Sequence, residues 1–448
     1  MSIENIAGQV AEIYPKALQE LIELVAIPSI SASSFDQSTL EKSAQWICGK
    51  AQKLGLESEV IQIQTADGKV GRPAVLATRQ AKAGKPTVLL YAHHDVQPVG
   101  ELDLWEQSDP FAAVERDGRL FGRGAADDKA GVMLHLAAIE AADPEVGIVL
   151  FVEGEEEVGS PTFVEFLETY KERLAADVIV VADSNNWKVG TPSLTTSLRG
   201  VVQVGVSVAV LDHALHSGAY SGPTLDAPTI ACRLISTLHN ECGEVAVAGL
   251  LSYDDAQVDY PEADLRKDMG MLDGVELTGT GSLTSRLWTK PTITLIAMDI
   301  TPTAKASNTL LPKCDFVLSL RVAPGQDPAA AGAALVQHLQ ENVPFGARIE
   351  VAVNECGPGF EAKAETEVTQ IAKWALREAW GRDSVDIGVG GSIPFISTLA
   401  EVFPQADILV TGVEDPDTRA HSANESLELA DWKNAILAEA LLLTKLGA

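Results

Sequence analysis

The stretch Val146-Gly-Ile-Val-Leu-Phe-Val152-Glu153-Gly-Glu155-Glu156-Glu157 decides the fold. An unbroken apolar run reads as a strand covered on both faces, and the abrupt change to acid marks its end. Pro86-Thr-Val-Leu-Leu90-Tyr-Ala-His93-His94-Asp95 repeats the arrangement, and Val178-Ile-Val-Val181-Ala-Asp183 does so again. Helical patterns at 128–142 and 162–175 lie between the runs. Strands alternating with helices predict an α/β domain with a mainly parallel sheet and helices on both faces. In open sheets of this kind, ligands bind beyond the carboxyl ends of the strands.

The texture changes near Arg199-Gly200. From Val202 to Val210 every even position is valine, with Gln203, Gly205 and Ser207 between them. Strict alternation means one buried face and one wet face. Ile293-x-Leu295-x-Ala297, Phe316-x-Leu318-x-Leu320-x-Val322 and Ile349-x-Val351-x-Val353 follow the same rule. With helical stretches at 224–240 and 327–343, the order is β-α-β-β-α-β, a ferredoxin-like α+β plan. The second helix opens with Asp327-Pro328, a cap residue followed by proline. A Gly-rich, acidic segment at 242–291 interrupts the plan as a surface excursion. After residue 356 the α/β texture returns, with a helix at 365–380, the run Asp407–Thr411 and a C-terminal helix ending near Leu446. The expected organisation is a catalytic domain in two parts, 1–199 and 356–448, split by an inserted lid or dimerisation domain at 200–355.

A chain of 448 residues with 63 acidic and 33 basic side chains presents a surface that repels nucleic acid and anionic lipid. The five cysteines are scattered and form no C-x-x-C pair, which argues for reduced thiols in a cytoplasm. The N-terminal stretch reads as an amphipathic helix, not as a signal peptide, and no apolar run approaches membrane-spanning length.

The strand ends collect His93-His94-Asp95, Asp127-Asp128, Glu155-Glu156-Glu157 and Asp183, and His421 lies in a loop after Ile408-Leu-Val-Thr411. Imidazoles and carboxylates without thiolate favour zinc, with manganese or cobalt as alternatives. The carboxylates outnumber what one four-coordinate ion needs, so a pair of ions sharing a carboxylate fits better. His94 should point away from His93 by strand alternation. His135 reads as core, and His239 and His338 as helix-surface residues.

Y-A-H-H-D-V-Q-P-V (91–99), G-R-G-A-A-D-D-K (122–129), E-G-E-E-E-V-G-S (153–160), L-H-S-G (215–218), G-G-S-I-P (390–394) and A-H-S-A-N-E (420–425) resemble the co-catalytic zinc peptidases. That family includes carnosinase, carboxypeptidase G, aminoacylase and acetylornithine deacetylase, and the carnosinase-like dipeptidase branch is the nearest match. The resemblance implies two Zn2+ per chain, one held by His93, Asp127 and Asp183, the other by Glu157, His421 and the bridging Asp127. It implies Glu156 as general base, Asp95 as the acid orienting His93, and a cis peptide at Asp127-Asp128. His216 matches the oxyanion-contacting histidine that reaches across from the partner subunit of a homodimer built on the inserted domain. Arg321 matches the arginine that grips the substrate's C-terminal carboxylate, with Asn308, Gly391 and Ser392 as further substrate contacts. Where carnosinase-like members often carry Arg-Glu before G-G-S-I-P, Gly388-Val389 stand here, a departure that bears on substrate preference.

The reaction so implied is hydrolysis of a dipeptide or short peptide beside its free C-terminal carboxylate, by a hydroxide shared between the ions. The alternatives are an N-acyl-amino-acid deacylase with the same machinery and a non-catalytic, metal-dependent peptide-binding protein.

Overall fold

A computed structural model describes residues 2–363, 365–391 and 394–448. The chain forms two compact units, one of Met1–Thr196, Ala362–Ile387 and Thr398–Ala448, the other of Ser197–Glu361 and Gly388–Ser397. The second unit thus takes up Gly388–Ser397, beyond the 200–355 segment marked by the change in texture.

The first unit is built on a six-stranded sheet. Its strands lie in the order Glu57–Ile61, Ala74–Arg79, Gly147–Glu153, Thr87–His93, Val178–Val181 and Asp407–Val410. The last four are parallel, and the first two attach antiparallel at one edge. The central strands are buried along almost their whole length, whereas residues 57–60 alternate exposed and half-buried before the buried Ile61, as suits an edge. The parallel pairing of Thr87–His93 with Gly147–Glu153 sets His93 beside Glu153, so both acid-rich turns emerge at the same end of the sheet.

The helix Lys129–Ala142 is buried on every side except at Glu140. Lys129 lies inside because its ammonium donates to the carbonyls of Leu24 (3.1 Å) and Ile27 (2.6 Å). His135 is core, but not apolar core: Nδ1 lies 2.8 Å from Glu439 Oε1 and Nε2 2.9 Å from the Tyr91 carbonyl. The C-terminal helix Leu429–Leu446 packs against this helix and against Glu367–Trp380, with Trp432 Nε1 donating to the Ala130 carbonyl at 3.1 Å. The helix expected at 162–175 is divided into Phe163–Thr169 and Lys171–Leu174, because Tyr170 leaves helical geometry.

The second unit carries four antiparallel strands, Gly200–Ala209, Thr292–Met298, Lys313–Val322 and Arg348–Gly357. Taken by chain position, they lie in the order second, third, first, fourth, the ferredoxin-like arrangement. Val202, Val204, Val206 and Val208 face Ile230, Leu234, Leu335 and Leu339 in one core. Those four come from the helices Ala227–Ser236 and Pro328–Asn342, each capped by an aspartate (Asp226, Asp327) and started by a proline. The excursion contains the short helices Glu262–Asp268 and Leu283–Trp288. His239 lies beyond the end of its helix, in an isolated bridge with Val245. No described helix is long and apolar enough to cross a membrane.

Candidate metal centre

His93 ends its strand, Asp127 precedes the buried helix, and Asp183 follows Val178–Val181. Their ligand atoms lie within 4.8 Å of one another, and so do those of Asp127, Glu157 and His421. Asp127 belongs to both triads and divides its oxygens between them. Oδ1 is 3.1 Å from His93 Nε2, while Oδ2 is 3.0 Å from His421 Nε2. His421 Nε2 also lies 3.1 Å from Glu157 Oε2. The peptide Asp127-Asp128 is cis. His421 itself has positive φ (61°), as do Arg419 and Asn424. That conformation is uncommon outside glycine and clusters at functional sites.

The electrostatics match a cation-binding cluster. Burial opposes protonation of His93, but Asp127 and Asp95 outweigh it and hold the imidazole well above its usual value. Asp127, then Glu157, push His421 up to about 11. Burial pushes Asp183 up to about 6, and burial followed by Asp127 raises Glu157. The crowded carboxylates thus favour positive charge at both imidazoles. Divalent ions would supply it better, with each imidazole giving up its proton to become a ligand. Two imidazoles and three carboxylates, with no thiolate, fit such ions.

Glu156 is half-buried and stands in neither triad. Burial raises its carboxyl well above the ordinary range; His93 opposes the shift, and Asp183, Glu157 and Asp95 add to it. Its backbone N–H donates to Asp95 Oδ1 (3.1 Å) and that of Glu157 to Oδ2 (3.0 Å). His93 Nδ1 meets the main-chain oxygen of Asp95 at 3.1 Å and its carboxylate only at 3.5 Å. Asp95 therefore holds the acidic turn as firmly as it holds the imidazole. His94 points elsewhere, donating from Nε2 to the Pro73 carbonyl at 2.8 Å. Burial lowers its pKa to about 4, so it is neutral.

Three further residues hold or face this centre. Gln97 Nε2 donates to Glu157 Oε2 at 2.8 Å; its signal was its place in H-D-V-Q-P-V. Glu425, which closes A-H-S-A-N-E, is fully buried. It receives Arg123 Nη1 (2.6 Å) and the backbone N–H groups of Gly124, Ala126 and Asp127 (3.0–3.1 Å). It thus ties the His421 loop to the Asp127 loop. Glu414 has no sequence signal at all: burial, then Asp127, Asp183 and Glu425, raise it well above the carboxylate range. Glu155, by contrast, is a structural anchor, accepting from Arg72 N and from Thr162 N and Oγ1.

The remaining expected residues belong to the second unit. His216 is exposed and pairs with Thr309, and Ser217 N donates to the Asn308 carbonyl at 2.9 Å, so His216 and Asn308 share one corner. Arg321 is half-buried on its strand, opposite Thr292 and Val201. Arg199, overlooked in the sequence, donates from Nε to the Gly390 carbonyl at 2.9 Å. Burial, then Arg321, bring its guanidinium down to about 10. A side chain at Gly391 would meet open space, and Ser392 lies outside the described residues.

A cysteinylglycine-S-conjugate dipeptidase of Corynebacterium striatum is 32% identical over 441 residues, 96% of this chain and 96% of its own. The beta-Ala-His dipeptidase of Rattus norvegicus is 25% identical, covering 92% of this chain and 88% of its own. The crystal structure of human carnosine dipeptidase 1 superposes with a TM-score of 0.78 at 22% identity, covering 99% of this chain and 98% of the other. The sequence profile of peptidase family M20/M25/M40 matches residues 89–445. The chain belongs to that family of peptidases, in its carnosinase-like dipeptidase branch.

Proposed function

We propose that the chain is a dinuclear-metal dipeptidase, cleaving dipeptides or short peptides beside a free C-terminal carboxylate. The observation that carries this is the divided carboxylate of Asp127, with each oxygen turned to a different histidine. His93, Asp127 and Asp183 would hold one ion, and Asp127, Glu157 and His421 the other, with zinc the best match to the donors and manganese or cobalt next. Two such ions, when bound, acidify water and polarise the scissile carbonyl.

The chain's own groups do the rest. Glu156, free of ligand duty, takes a proton from the attacking water and passes it to the departing amine nitrogen as the C–N bond breaks. Asp95 fixes the backbone of Glu156 and Glu157 and faces His93, so base and ligand keep one geometry. His216, reaching across from the partner subunit of the homodimer, is assigned to the developing oxyanion. Arg321 is assigned to the substrate carboxylate, where a guanidinium can pair in bidentate fashion. Asn308, Gly391 and Ser392 are assigned to further substrate contact. The homodimer would form through the ferredoxin-like unit, whose outer strand exposes Leu295 and Ile296. Five unpaired cysteines suit a reducing cytoplasm.

The test is turnover by metal-loaded protein of a dipeptide panel, including Cys-Gly and β-Ala-His, beside N-acetylornithine and N-succinyl-diaminopimelate. Cleavage confined to the acylated compounds would overturn the dipeptidase reading in favour of a deacylase. Binding of peptides without any turnover would reduce the chain to a binding protein.

A further inference from the structure

Glu414 is an acid of the metal centre that neither donor triad uses. It follows the strand Asp407–Val410, which sets Val410 beside Val181. The same register holds at the isolated bridge between Asn185 and Glu414, where Asn186 N donates to the Glu414 carbonyl at 2.8 Å. On this register Gly412 falls opposite Asp183, and a Cβ there would stand 1.6 Å from the Ser184 carbonyl oxygen. The segment is therefore pressed against the backbone that carries Asp183. Val413 and Asp415, on either side of Glu414, are buried, and Arg119 Nη1 grips Asp415 Oδ2 at 3.0 Å.

Glu414 is thus fixed in place, yet its half-buried carboxylate makes no hydrogen bond or ion pair among the described residues. Its charged neighbours are Asp127, Asp183, Glu425 and His421. An unpaired acid among acids is unfavourable unless a cation comes to it. Both triads are complete without it, each with its imidazole and two carboxylates. The remaining cation is one that the substrate brings. In a dipeptide of α-amino acids the amino nitrogen is two bonds from the scissile carbonyl carbon, so it must lie beside the metal centre. Near neutral pH it is largely an ammonium, with a pKa of about 8.

We propose that Glu414 binds the free α-ammonium of the substrate and so selects dipeptides over amine-blocked or amine-lacking analogues. This rests on the dipeptidase reading above and deepens it.

The test compares Leu-Gly with 4-methylpentanoyl-glycine, the same molecule without its amine, on metal-loaded wild type, Glu414→Gln and Glu414→Asp. The glutamine variant should lose about 10- to 100-fold in kcat/KM for Leu-Gly, mainly through KM, since a hydrogen bond to a charged group is lost. Turnover of the amine-free compound should fall far less than that of Leu-Gly, and Glu414→Asp should recover part of the preference. Calorimetry with a non-hydrolysable phosphinic Leu-Gly analogue, with and without the amine, should show the same collapse in Kd ratio with bound metal unchanged. An equal loss on both compounds, a loss of metal, or no loss would overturn the role of Glu414. Wild type that cleaves only the amine-free compound would instead overturn the dipeptidase reading itself.

Discussion

Replacing Glu425 by glutamine changes almost nothing in shape, yet it strikes the point where the two loops carrying the proposed ligands Asp127 and His421 are tied together. Oε2 of Glu425 accepts from Arg123 Nη1 and Gly124 N, and Oε1 accepts from Ala126 N and Asp127 N. Whichever way a glutamine amide turns, its NH2 group faces two of these donors, and two donors cannot bond each other. Arg123 is 1% exposed, so its charge loses its partner away from water. Leaving one member of a buried pair uncompensated costs about 3–5 kcal/mol, a large share of the ~5–15 kcal/mol that holds a domain together. At roughly 2–4 °C per kcal/mol for a unit of this size, Glu425→Gln should melt roughly 6–20 °C lower. Scanning calorimetry of metal-free protein measures this directly. Metal content should fall too where the amide oxygen turns to Arg123, because Asp127 N then loses the acceptor that fixes it. A melting point within about 2 °C of wild type, with full metal content, would refute the reasoning.

Gln97→Leu removes the amide that holds Glu157 and should weaken the proposed site of Asp127, Glu157 and His421 about 10- to 100-fold, read by chelator competition; affinities at both sites equal to those of wild type would contradict it. Gly412→Ala sets a methyl group against the Ser184 carbonyl and should destabilise by more than ~3 kcal/mol; a variant that folds and melts like wild type would show that the segment is not pressed there. Burial pushes Glu153 up to about 8 from its ordinary 4.5. The folded state therefore keeps a proton that the unfolded state has released, and stability is lost as pH rises from about 4.5 to 8. Glu153→Gln can still accept the Tyr91 hydroxyl and carries no charge. Its metal-free stability should fall less than that of wild type between pH 5 and 8, and parallel profiles would sink the assignment.

Strands such as Gly147–Glu153 were legible because burial on both faces leaves an apolar run, and the acids after it mark the strand's carboxyl end. Valines at every second position made the ferredoxin-like sheet equally plain. The pairing of the two triads through Asp127 came from motif resemblance, since no local period links residues 93, 127 and 421. What stayed hidden depends on contacts far apart in sequence. Arg123 meets Glu425 across 302 positions, and His135 meets Glu439 across 304; each looks local and ordinary until the chain folds. Glu414 carries no pattern because what sets it apart is a carboxylate with no hydrogen-bond or ion-pair partner among the described residues. The antiparallel edge of Glu57–Ile61 and Ala74–Arg79 was likewise unmarked, because pairing direction leaves no trace in a short strand's composition.

The most direct test of the account is Glu156→Gln, with metal content and turnover measured on the same sample. Glu156 is assigned to proton transfer and lies outside both triads. The variant should keep two metal ions per chain while its kcat falls by about 10²–10⁴-fold. Activity within about tenfold of wild type, or loss of an ion, would contradict it.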